Sequence, residues 1–130
     1  MYKTMYELLT GHAPLTALVP VERIYETGSV EDRPQTPFLV LAWQPSYQSS
    51  TRQPFQRQLE VHAHDERGSH ALLRQVMAAV KTCLEGATQF QGSDGWITCC
   101  DFAGDGGELV DPETSTNLQF SSWRVVGRTT

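Results

Sequence analysis

The stretch Gln58-Leu59-Glu60-Val61-His62-Ala63-His64 alternates polar and apolar residues, which is the period of a β-strand with one covered face. Directly after it, residues Asp65–Glu85 repeat apolar residues at helical spacing. The apolar stripe consists of Leu72, Leu73, Val76, Met77, Val80, Cys83 and Leu84. This change of period predicts a strand that leads into a long helix, which folds back and packs on its own sheet.

The ends of this helix carry recognisable signals. Asp65 or Ser69 is expected to cap its first turn, because short polar side chains accept hydrogen bonds from free backbone N–H groups there. Gly86 is expected to end it in the left-handed conformation that glycine adopts readily.

The remaining sequence predicts further strands and a second helix. Residues 2–10 have helical spacing, and Ala13-Pro14 begins a short helical turn. Strands are predicted at residues 23–25, 38–43, 55–64, 96–102 and 118–126, with a bulge or burial on both faces in the last one. Two long polar loops are predicted, Pro45–Pro54 and Ala103–Asn117. We therefore predict a single α+β domain over residues 1–130, with a mostly antiparallel sheet of four or five strands, an N-terminal helix and one long central helix packed on one face.

Composition excludes several classes of function. The formal net charge is −5, and the ten basic residues form no cluster that could neutralise phosphates, so sequence-specific nucleic-acid binding is not expected. No apolar run approaches the roughly 20 residues of a membrane span. The first residues lack the apolar core of a signal peptide, so we expect the chain in a cytosol. The three cysteines have no CxxC spacing and are expected to be free and largely buried.

One arrangement could hold a metal ion. Glu60, His62 and His64 alternate along one strand and face the same side, as the ligands of a zinc or iron site could. The alternative is that they form the solvent-facing side of a half-covered strand, whose other side carries apolar residues. No downstream motif supplies another ligand, and no motif of a nucleophile, a phosphate loop or a calcium loop is present. We therefore predict no catalytic residue, no metal and no cofactor.

The order of these features resembles the tail-completion, or tail terminator-like, proteins of long-tailed phages. The matching segments are the leading helix, Ala13-Pro14-Leu15-Thr16-Ala17-Leu18-Val19, Arg23-Ile24-Tyr25, Pro37-Phe38-Leu39-Val40, the alternating strand, the Asp65-led helix with Ala71, Leu109-Val110-Asp111-Pro112-Glu113-Thr114 and Leu118-Gln119-Phe120-Ser121-Ser122-Trp123. The similarity spans nearly the whole chain, and the order and spacing of the segments carry it.

This resemblance implies a structural protein of the virion, located at the head–tail junction after assembly in the host cytoplasm. It implies a homo-hexameric ring that caps the tail tube and joins it to the head connector, with DNA passing through an acidic lumen. The two polar loops are expected to contact partners, with Tyr47, Arg52, Leu109 and Val110 as anchors. Two alternatives stay open: another neck protein on the connector side, or a metal-dependent enzyme that uses Glu60, His62 and His64.

Overall fold

The computed structural model describes residues 1–30, 34–45 and 55–129. Within them the helices are α1 (Tyr2–Thr10), α2 (Ala13–Thr16) and α3 (Ala71–Glu85), and Val21–Arg23 forms a short 3₁₀ turn. The strands are β1 (Ile24–Glu26), β2 (Phe38–Trp43), β3 (Phe55–Asp65), β4 (Phe90–Gln91), β5 (Gly95–Asp105), β6 (Leu109–Asp111) and β7 (Thr116–Thr129). The predicted first helix and the α+β class are confirmed.

The described strands form one mixed sheet in the order β1-β2-β3-β7-β5-β4, and β6 also pairs with β7. β1 runs parallel to β2, while the other pairs are antiparallel. The sheet has more strands than the four or five predicted, because β4 and β6 were not predicted from the sequence. These strands contain only two and three residues. Segments this short carry no periodicity that a sequence could reveal.

The core lies between the helices and one face of the sheet. Register places Leu59 opposite Trp123 and Val61 opposite Ser121, so these residues share the covered face. The helices supply Met5, Leu9, Leu15, Leu73, Val76, Val80 and Leu84, and the sheet supplies Leu39, Leu41, Leu59, Val61, Ala63, Ile97, Trp123 and Val125. The predicted packing of the long helix on one face of the sheet is therefore observed.

Both ends of the long helix differ from the prediction. Asp65 is the last residue of β3, where it pairs with Asn117, and α3 begins only at Ala71. Ser69 does contribute near the start, because its Oγ accepts a hydrogen bond from the backbone N–H of Ala71 at 3.0 Å. Gly86 has φ −81° and so ends the helix in a right-handed conformation. The expectation of a left-handed residue there was wrong, and the Gly86 N–H bonds to Thr82 O instead.

The segment Ala103–Asn117, predicted as a polar loop, is strand at 103–105, 109–111 and 116–117 and is loop or turn only at 106–108 and 112–115. β5 continues to Asp105, β6 pairs with the start of β7, and β5 and β6 lie along the same edge of β7. The polar and glycine-rich residues of this segment instead lie at irregular positions of the long hairpin that β5, β6 and β7 form. β5 is bulged between Phe102 and Gly104, where Gly104 has φ +136°. No register shift interrupts β7, whose residues from Thr116 to Trp123 are buried or half-buried on both faces.

The cysteines and tryptophans divide between core and surface. Cys83 and Cys100 are buried free thiols, and burial raises the pKa of Cys83 to about 11. Trp123 is fully buried, whereas Trp96 is 43% exposed. None of the helices in the described residues is both long and apolar enough to span a membrane.

Candidate assembly interfaces

The face of the sheet opposite the helices contains an apolar depression of about 430 Å³. β2, β3, β6 and β7 all contribute to it. Its lining comprises Val40, Ala42, His62, His64, Leu109, Val110, Asp111, Pro112 and Leu118. Two residues of the alternative metal site, His62 and His64, and the predicted anchors Leu109 and Val110 therefore lie on one surface.

His64 is held in a buried contact at the edge of this depression. It stacks on Phe38 with ring centroids 4.5 Å apart, and its Nδ1 lies 2.9 Å from Thr116 Oγ1. Burial lowers the pKa of His64, and the carboxylate of Asp111, 3.8 Å away, only partly opposes this. The expectation that this strand face is merely solvent-exposed was wrong for His64, which is 7% exposed because the start of the β6–β7 hairpin lies beside it.

His62 and Glu60 make a separate contact. His62 Nε2 lies 3.1 Å from a Glu60 carboxylate oxygen, and the ring stacks on Phe120 at 5.1 Å. Glu60, His62 and His64 thus lie on one strand face, but their functional groups contact different neighbours. Among the described residues no group of three or more His, Cys, Asp or Glu side chains is placed to hold a metal ion. These contacts account for Glu60, His62 and His64 as structural residues of this sheet face.

The acidic residues near the β5–β6 edge are engaged in pairs and turns. Asp101 pairs with Arg124 at 3.0 Å, and Glu108 pairs with Arg74 at 2.6 Å. Asp111 accepts hydrogen bonds from the backbone N–H of Glu113 and from the Thr114 hydroxyl, each at 3.0 Å. These contacts give the acidic residues structural roles in closing the β6–β7 turn and linking α3 to the sheet.

The predicted anchors can be placed only in part. Leu109 and Val110 lie on β6 and are 42% and 48% exposed, so both side chains are accessible for a contact. Tyr47 and Arg52 fall within residues 46–54, outside the described residues.

An aromatic cluster, which sequence reasoning missed, lies where the described chain flanks residues 46–54. Trp43 makes edge contacts with Tyr2 and Phe55, each with centroids 5.5 Å apart. The Arg57 guanidinium donates hydrogen bonds to Gln44 O, at 2.8 Å, and to the Tyr2 hydroxyl. The signal in the sequence was the presence of an aromatic residue on each side of the polar run. The cluster connects α1 to the end of β2 and the start of β3.

A second groove lies between α3 and the end of β5, and we call it the α3–β5 groove. It has a volume of about 200 Å³, and its walls include Met77, Ala78, Lys81, Phe102 and Asp105. Phe102 is 43% exposed and makes an edge contact with the buried Trp123 at 5.3 Å. Lys81 Nζ lies 5.0 Å from the centroid of the Phe102 ring. The groove therefore has an aromatic wall and a cation beside it.

Comparison with known proteins identifies the family. The model of the family described as tail completion protein gp17 matches residues 3–126. The chain belongs to this family. The resemblance noted from the sequence is thus confirmed, and the chain is a structural tail protein of a phage-type virion.

A solved structure supports the fold of this tail completion protein. A chain from the virion of a native gene transfer agent particle superimposes with a TM-score of 0.70, covering 96% of this chain and 91% of that chain at 18% sequence identity. At this identity the match shows a shared fold. A search of curated proteins finds no match.

Proposed function

We propose that this protein is a tail-completion subunit that forms a ring on the finished tail tube and joins the tube to the head connector. The observation that carries the proposal is the family match over residues 3–126. The fold shared with a virion chain is consistent with a role in a particle. The proposed ring contains six copies, as the resemblance to tail terminators implies.

The described surfaces suit repeated assembly. A ring requires two different patches on each subunit, so that one patch of a copy meets the other patch of the next. The chain offers two separate candidates for such patches: the depression on the open sheet face, whose lining includes the exposed Leu109 and Val110, and the α3–β5 groove. Exposed apolar patches of this kind are typical of protein–protein contact sites.

The charge distribution suits a channel through which DNA passes without being bound. The net charge is −5, and several described basic side chains already have partners within the subunit. Arg74 pairs with Glu108, Arg124 pairs with Asp101, and Arg57 bonds to Gln44 O. The net negative charge and the pairing of Arg74 and Arg124 with carboxylates disfavour phosphate binding, and DNA would pass through the lumen without sequence-specific binding. The proposed role is structural, without catalysis or a cofactor.

Deletion of the gene from its phage or particle tests this proposal. We expect normal heads and tails that remain unjoined, with tubes of irregular length, and restoration of joined particles by expression of the protein in trans. Normally joined infectious particles without the protein would refute the proposal. Defective head filling with normal free tails would instead favour a neck protein on the connector side.

A further inference from the structure

His64 brings a hydrogen-bond acceptor to the depression on the open sheet face, and a chain of three side chains fixes this role. The Thr114 hydroxyl donates its proton to the Asp111 carboxylate at 3.0 Å. The contact of 2.6 Å between the hydroxyls of Thr114 and Thr116 must therefore use the Thr116 proton. With that proton committed, Thr116 Oγ1 accepts a hydrogen bond from His64 Nδ1 across 2.9 Å.

The other ring nitrogen of His64, Nε2, is left as the acceptor. A neutral imidazole carries its proton on one nitrogen, and the second nitrogen accepts. Burial lowers the pKa of His64, which favours this neutral form. The side chain lines the depression although the residue is only 7% exposed, and Nε2 has no hydrogen-bond partner among the described residues. Because the surrounding walls are largely apolar, the depression is complementary to an apolar group that carries a hydrogen-bond donor.

Trp96 has this character among the exposed side chains in the described part of the chain. It is 43% exposed, and its indole N–H has no acceptor within the described residues. Tyr2 is equally exposed, but its ring packs on Trp43 and its hydroxyl is bonded to Arg57. The other large apolar side chains that are exposed carry no side-chain donor: Val21, Phe102, Leu109 and Val110.

Trp96 lies on the same face of the sheet as the depression but at the opposite end of it. The neighbouring Ile97 is fully buried in the core, so the alternation of the strand directs Trp96 to the open face. Trp96 pairs with Arg128 of β7, whereas Leu118 of the same strand lines the depression. These two positions are roughly 30 Å apart along an extended strand. Trp96 therefore does not reach the depression of its own subunit.

We propose that Trp96 of each copy docks in the open-face depression of the next copy of this chain, where its indole N–H donates a hydrogen bond to His64 Nε2. The volume of about 430 Å³ lies within the range of roughly 300–1,000 Å³ typical of ligand-binding pockets and admits a whole indole ring. Since the two patches differ and lie at opposite ends of the sheet, the contact repeats head to tail and can close into a ring. The inference rests on the proposed function, which makes copies of this chain neighbours.

Photo-cross-linking in assembled particles tests the contact. Trp96 is replaced by the photo-cross-linking residue p-benzoylphenylalanine, and the variant is supplied to a phage or particle that lacks the gene. After illumination, mass spectrometry identifies the joined peptides. We expect cross-links from position 96 to residues 62–64 or 109–118 of another copy. Denaturing gels should show products of up to six chains.

Two further placements of the cross-linker serve as control and reverse design. Phe102 is also 43% exposed but lines the α3–β5 groove, so the cross-linker placed there should not join to the depression. Val110 lies in the lining of the depression. The cross-linker at Val110 should therefore join to residues 95–97 of another copy.

Two substitutions separate the contributions of the indole ring and its N–H. Trp96→Ala removes both and should restore joined particles at least about tenfold less efficiently than the native chain. Trp96→Phe keeps an aromatic ring without the donor and should fall between the two. Both variants should keep a melting temperature within a few degrees of the native value, because the side chain is exposed in the free subunit.

Several outcomes would overturn the inference. Cross-links from position 96 that reach only other segments or other proteins, or normal joining by Trp96→Ala, would refute the docking of Trp96 and leave the proposed function standing. Cross-linked products that stop at two chains would show a reciprocal two-fold contact and refute the head-to-tail arrangement. Normal joining of particles that lack the gene would refute the proposed function, and this inference with it.

Discussion

Val76→Asp tests how the long helix holds the fold together. Val76 lies in α3, is fully buried and belongs to the main core cluster. The substitution forfeits the burial of a valine side chain, worth about 1.5–3 kcal/mol. It also places a carboxyl group in an apolar site without a partner, which costs roughly another 1–3 kcal/mol even if the group stays protonated. The free energy of unfolding should therefore fall by about 3–5 kcal/mol.

Two further variants separate the causes of this loss. Val76→Ala removes methyl groups without adding charge and should cost about 1–3 kcal/mol. Gln75→Asp adds the same carboxyl group at the neighbouring exposed position and should change stability by less than about 0.5 kcal/mol. Urea unfolding followed by circular dichroism measures all three. If Val76→Asp unfolds at the same urea concentration as the native chain, α3 does not pack on the sheet as described.

The remaining predictions concern pH, the open sheet face and the exposed anchors. Burial lowers the pKa of His64 in the folded state, so the unfolded chain binds protons more readily, and the free energy of unfolding should fall as pH drops below about 6.5. His64→Gln should lose this part of the pH dependence. If the variant keeps the pH profile of the native chain, the lowered pKa of His64 is contradicted. Gly106→Ala would drive a Cβ into the Phe120 ring and should lower the melting temperature. The control Ala103→Gly, at an exposed position, should lower it less. Equal melting temperatures of the two variants would show that the Phe120 ring does not lie over Gly106. Replacing Leu109 and Val110 together by Ser should leave the melting temperature within a few degrees of the native value but reduce particle joining in a complementation assay; unimpaired joining would remove both from the interface.

The periodic parts of the sequence predicted the fold well. The alternation of Leu59, Val61 and Ala63 fixes which face of β3 is covered, and the stripe of α3 supplies the matching surface. The periodicity of the sequence did not predict the secondary structure where pairing between distant strands determines it. Asp65 stays in β3 because Asn117 pairs with it across the sheet, although a short polar residue there also resembles a helix cap. Parts of the segment Ala103–Asn117 form strands because they pair with the long strand β7, and no local sequence pattern indicates that pairing.

The candidate interfaces were less accessible to sequence reasoning. Leu109 and Val110 were predicted as anchors because they are apolar residues in a polar segment; the structure leaves both exposed, and their role as anchors stays a prediction. The α3–β5 groove could not be predicted, since Ala78 and Phe102 are far apart in sequence and meet only through the packing of α3 on β5. Among the described residues, the length of β5 that is paired on its outer side likewise depends on where β4 ends, and the two-residue β4 is too short to predict from a pattern.

A reconstruction of the head–tail junction by cryo-electron microscopy tests the central claim most directly. The map should be detailed enough to place α3 and the sheet without imposed symmetry. The account predicts six copies of this fold in a closed ring between the tail tube and the head connector, with the DNA channel through its centre. Absence of the fold from the junction, or its presence there as a two-fold dimer, would contradict the account.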